Sequence, residues 1–150
     1  MIELFIFLFG IINLLLFLYG LYETKYNKKA FKLSPIAMVF GIFVWGDAVI
    51  IGLFWVIISV VSLVLHDQYL FFLAGSLFWV VRSIGEMIYW LNQQYSTLER
   101  NPPHKQPYFS IFQNNSIWFA NQVFWQCFAV ISSVAAIYFA VQWVRYIFLL

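Results

Sequence analysis

Three ionisable side chains fall inside long apolar runs of the sequence: Asp47, Arg82 and Glu86. Their types allow an ion pair, a proton relay or an anion contact. Arg82 and Glu86 are four residues apart, the spacing at which two side chains meet on one helix. Two carboxylates facing one guanidinium leave a net negative charge if both ionise. Low dielectric pushes one carboxyl towards its protonated form or recruits a cation. A carboxylate that gains and loses a proton inside a membrane is the basic element of coupled transport. The same three groups can instead pair to fix helix register, as polar residues do in membrane bundles. Trp79 and Tyr89 share a helical stripe with Arg82 and suit the walls of a pocket for a lipid head group or small amphiphile. Gln122 and Gln126 contribute two amides to the last apolar run. Asp47, Arg82, Glu86, Gln122, Gln126, Trp79 and Tyr89 are therefore the candidate ligand- or ion-coupling residues.

Other chemistries lack their signatures. The sequence has no HExxH pair, no GxSxG elbow and no glycine-rich phosphate loop. No nucleophile with an adjacent base is identified, so no catalytic residue is assigned and enzymatic activity is not expected. His66 and His104 lie in different connections without neighbouring ligands, so neither a metal nor a cofactor is expected. Cys127 is the single cysteine, which excludes an intramolecular disulfide; it reads as a small core residue. With no basic soluble face, nucleic acid is not an expected partner.

The elements that must position these residues follow from composition. Of 150 residues, 64 % are apolar and 9 % charged, with 18 Phe, 7 Trp and 9 Tyr. Soluble domains are nearer half apolar and a quarter charged. A water-soluble fold of this size would expose large apolar patches, and disorder requires the opposite composition. Four apolar runs are long enough to cross a bilayer as helices: approximately 2–21, 36–65, 69–91 and 117–143. Continuous runs, without strand-like alternation, exclude a transmembrane barrel. The chain reads as one domain, an all-α integral membrane protein forming a bundle of four transmembrane helices.

Charge gives an orientation. Lys25, Lys28, Lys29, Lys32, Arg100 and Lys105 lie in the connections 22–35 and 92–116, whereas the opposite side carries Arg145 alone. Short basic loops stay in the cytoplasm. Both long loops are thus expected inside and both termini outside, in a bacterial-type cytoplasmic (inner) membrane. The first run lacks a basic leader and a small-residue cleavage site, which suits an uncleaved anchor. Lys25 to Lys32 are expected to set this topology and to contact anionic lipid head groups.

Local signals refine the spans. Ser34-Pro35 reads as the cap and first residue of helix two. That helix would be about 45 Å long, more than the hydrocarbon thickness, so its start would protrude or tilt. Trp45-Gly46-Asp47 allows a hinge, although glycine also serves packing. Asn114-Asn115-Ser116 reads as a cap for helix four, in preference to a glycosylation sequon. Pro102, Pro103 and Pro107 make the second loop extended, and Phe109, Ile111 and Phe112 form an apolar patch for the membrane surface.

Helical spacing also nominates inward faces: Gly10, Asn13, Phe17 and Gly20 in helix one, and Asp47, Ile51, Phe54 and Ile58 in helix two. Helix three offers Gly75, Trp79, Arg82, Glu86, Tyr89 and Gln93. Helix four offers Gln122, Gln126, Ala129, Ser133, Ala136 and Ala140. A tight turn between the second and third runs puts Asp47 level with Glu86, with Arg82 one turn further out. Gln122 and Gln126 fall at a similar depth. The functional expectation is a non-enzymatic membrane protein acting by association, as a homo-oligomer or a subunit of a larger complex, with lipids around it. The alternatives are a small transporter or channel coupling ion or proton movement through the Asp-Arg-Glu cluster, and a lipid-binding or lipid-modifying protein.

Overall fold

The computed structural model describes residues 1–97, 101–106 and 110–149. Arg100, Pro107 and Phe109, named above, lie outside them. The fold is all-helical, with four helices long and apolar enough to cross a membrane. They are α1 (Ile2–Lys25), α2 (Trp45–Val64), α3 (Gln68–Tyr95) and α4 (Ser116–Leu149). Compared with the expected spans, α1 runs four residues further, to Lys25, and α4 continues to Leu149. The chain divides into two compact units, one of Met1–Ala74 with Gln142–Leu150 and one of Gly75–Val141.

In the first unit α1 and α2 pack through small residues. The α1 stripe is the one expected: Asn13 and Gly20 are buried. A Cβ on Gly20 would lie 2.6 Å from the Ala48 Cβ, and one on Gly10 would lie 2.9 Å from the Ser59 Cβ. A Cβ on Gly52 would lie 3.1 Å from the Asn13 carbonyl oxygen. Close approach of this kind is how helices gain van der Waals contact where lipid removes the hydrophobic drive. The face of α2 differs from the one expected. Ala48, Gly52, Trp55, Ser59 and Ser62 are buried; Asp47, Ile51, Phe54 and Ile58 form the neighbouring, half-buried stripe. Three glycine-sized or hydroxyl residues at near-helical spacing allow tighter contact than Ile, Phe and Ile do.

The 36–65 helix is corrected by the structure. Pro35–Phe40 is a short 3-10 helix closed by Gly41 at φ 78. The chain then turns back through an extended Val44, and α2 begins only at Trp45. Residues 30–46 form a hairpin: Leu33 bridges Val44 antiparallel, the Ser34 amide donates to the Phe43 carbonyl at 2.9 Å, and the Gly46 amide donates to the Ala30 carbonyl at 2.8 Å. The hairpin folds back along α2. The Trp55 indole N–H donates to the Phe40 carbonyl at 2.9 Å, and Trp55 lies ten residues, about 15 Å, into α2. Ala37 and Ile42 are buried against Ala48, with Leu16 and Ile51 around them. The Phe40 ring meets Phe9 of α1 at 5.3 Å. Gly41 supplies the left-handed conformation, and the β-branched Ile42 and Val44 favour extended backbone over helix. The remaining α2 has 20 residues, the length a bilayer needs.

The turn into α3 is held by Asp67. Its carboxylate accepts the Leu70 amide at 3.0 Å, an N-cap contact. The other oxygen accepts the Trp143 indole N–H at 2.7 Å. Tyr146 donates to the His66 carbonyl at 3.4 Å and packs on Tyr69. Asp67 thus ties the last turns of α4 to the α2–α3 turn. Nearby, the exposed His66 imidazole lies 3.0 Å from Glu3.

Candidate functional site

Asp47 belongs to the first unit; Arg82, Glu86, Trp79, Tyr89, Gln122 and Gln126 belong to the second. Each group is built within its own unit.

Asp47 is the third residue of α2 and points back along the chain. One carboxylate oxygen accepts the Phe43 amide at 3.1 Å and the Val44 amide at 3.4 Å. These are the amides at the point where the hairpin joins the helix. An acidic side chain in the first turn also complements the positive end of the helix dipole. Asp47 therefore has a structural task that spacing alone did not reveal, because it depends on a break in the run. Gly46 packs: a Cβ there would lie 3.3 Å from the Ala30 carbonyl oxygen.

In the second unit Arg82 and Glu86 form the expected pair along α3, Nη2 to Oε1 3.4 Å, with side chains 23 % and 16 % exposed. Pairing of this kind offsets the insertion cost of two opposite charges. Ser83, fully buried beside them, donates to the Trp79 carbonyl at 2.6 Å. The Trp79 ring meets Phe128 of α4 edge-on at 5.2 Å. Tyr89 is 38 % exposed and bonds Asn101 of the second loop through its hydroxyl. The Trp118 indole donates to the Asn101 carbonyl at 2.8 Å. The loop is thus held at the ends of both helices of this unit.

The two glutamines part company. Gln122 accepts the Gln94 amide N–H at 2.7 Å, a bond from α3 to α4. Gln94 was not among the residues singled out; pairing it with Gln122 needs the relative rotation of two helices. Gln126 does not share this inward face, contrary to expectation. It is exposed, and among the described residues it has no hydrogen-bond partner. Along its stripe Ala129, Ser133 and Ala140 are half-buried and Ala136 is buried, so the stripe turns outward at Gln126. Cys127 beside it is exposed as well, not a core residue.

One further polar group has no counterpart in the sequence stripes. Glu23, beyond the expected end of helix one, is buried and accepts the Tyr19 hydroxyl and the Asn27 amide, both at 3.0 Å. Asn13, buried on the inward face as expected, donates to the Phe9 carbonyl of its own helix at 3.0 Å. No group of three or more metal-ligating side chains occurs among the described residues. Comparison of the chain with protein-family models, curated proteins and solved structures finds no match in any of the three.

Proposed function

We propose that the chain is a non-enzymatic membrane protein that works by association within the bilayer, with a second copy of itself as its first partner. The observation that carries this reading is Gln126. It lies ten residues into α4, about 15 Å from the helix start, which places it well inside a spanning helix. Lipid cannot satisfy its amide. A primary amide both donates and accepts, so the same residue on a second copy completes both bonds. Such contacts contribute about 0.6 kcal/mol on average and up to about 1.7 kcal/mol in membranes. Phe119, Val130 and Ile137 are exposed at helical spacing on the same face, giving the amide an apolar seam. The apolar stretches of α3 and α4 are only 11 % buried, which leaves ample surface for a neighbour. The single, exposed Cys127 makes the test direct. A short thiol cross-linker applied to intact membranes should give a species of twice the 17.7 kDa monomer, and Gln126→Leu should remove most of it. Monomer alone, or a dimer indifferent to Gln126→Leu, contradicts the proposal.

A second reading, ion or proton coupling, is favoured by two features: the Arg82–Glu86 pair within a spanning helix, and non-helical backbone beside Asp47, the kind of element from which transporters build sites. It requires Asp47→Asn and Glu86→Gln to stop transport in a folded protein. If both variants instead only lower thermal stability, the residues serve architecture. The proposed setting for either reading is a cytoplasmic (inner) membrane with the basic loops inside and both termini outside.

A further inference from the structure

We infer that the segment from Lys25 to Val44 is a binding surface for an anionic phospholipid, with the lysines on the phosphate and the exposed flank of the hairpin along the acyl chains. The inference does not depend on the association proposed above.

Four lysines, Lys25, Lys28, Lys29 and Lys32, gather at the end of α1 and the mouth of the hairpin. None makes an ion pair among the described residues. The carboxylate closest in sequence, Glu23, is buried and bonded to Tyr19 and Asn27, so it does not neutralise the lysines; Lys25 lies 5.5 Å over the Tyr26 ring. The Lys32 carbonyl accepts the Trp45 amide at 3.2 Å, which sets this collar level with the start of α2. From there the hairpin descends along α2 to the level of Trp55.

The descending flank is apolar and bare: Leu33 is 62 % exposed, Ile36 89 % and Val39 72 %. Its inner side is the opposite, with Ala37 and Ile42 buried on α1 and α2. Irregular backbone survives at membrane depth only when its polar groups are met within the protein. Here the Ile42 carbonyl takes the Ser34 hydroxyl at 2.9 Å, the Phe40 carbonyl takes the Trp55 indole, and the Phe43 and Val44 amides take Asp47. Three side chains thus satisfy four backbone groups, as a dry environment demands. Along the helix axis the surface runs from cationic to apolar, the order in which an anionic phospholipid presents phosphate and then hydrocarbon.

The test uses the full chain in nanodiscs of phosphatidylcholine containing some phosphatidylglycerol, with retained lipid counted by native mass spectrometry. Each lysine near an anionic surface contributes about fivefold in partition, so replacing all four by Gln should cut phosphatidylglycerol enrichment by at least about tenfold. Replacing all four by Arg should keep it. Single Lys→Gln variants, each expected to lose part of the enrichment, cover the case in which the fourfold variant does not fold. In a Cys127→Ser background, Ile36→Cys should resist an aqueous maleimide that labels Lys29→Cys. Unchanged enrichment in the Gln variants, or equal labelling at 36 and 29, overturns the inference. Protection of position 36 that disappears on dilution to monomer assigns the flank to a protein partner and overturns it too.

Discussion

Gly20 and Gly85 show how differently two glycines in helices of membrane-crossing length can be used. A Cβ on Gly20 would press into Ala48 at 2.6 Å and the Trp45 carbonyl at 3.1 Å, whereas one on Gly85 would meet nothing within 4 Å. Gly20→Ala should therefore destabilise the protein in detergent by about 1–3 kcal/mol through overpacking. Gly85→Ala should be neutral, or stabilising by up to about 1 kcal/mol through helix propensity. Thermal unfolding of both variants checks the contrast. Charged residues divide similarly. The Arg82–Glu86 pair was legible because i to i+4 spacing is a local property of one helix. The bonds of Asp47 to two hairpin amides were not, since they require a chain reversal. Asp67 could have been recognised from its place just before α3, where an aspartate serves as N-cap; its second bond, to Trp143, joins residues far apart in sequence and carries no local signal.

At the scale of elements, α1, α3 and α4 follow from apolar length, and their ends shift by a few residues. The region before α2 does not. Residues 36–65 form one apolar run, and hydropathy cannot distinguish a long helix from a shorter one preceded by an apolar hairpin. The excess length of that helix, Gly41 and the β-branched residues around it were the available clues. The hairpin rests on specific bonds, so it should respond to their loss. Trp55→Phe keeps most of the buried ring but removes the donor to the Phe40 carbonyl. A net loss of about 1 kcal/mol is expected for such a bond. Amide exchange over 36–44 should then quicken about fivefold, with exchange in α4 unchanged. Equal exchange in both proteins would show that this bond does not hold the hairpin.

For the whole molecule, membrane-span character was legible in composition, because 64 % apolar residues admit few other solvents. Orientation rests on the asymmetry of Lys and Arg and has its own test. His66 is exposed in the α2–α3 turn, so His66→Cys in a Cys127→Ser background should react with an impermeant thiol reagent from outside intact cells. Labelling only after permeabilisation would invert the topology. Association depends on which faces remain bare, and that required the structure: the sequence stripe placed Gln126 inward, while the folded chain turns it outward. The most direct measurement is the number of chains per particle after extraction from the native membrane into lipid-bearing polymer discs. More than one chain per particle is expected for the native sequence and mostly one for Gln126→Leu. Single chains throughout, or the same number with and without the glutamine, would contradict it.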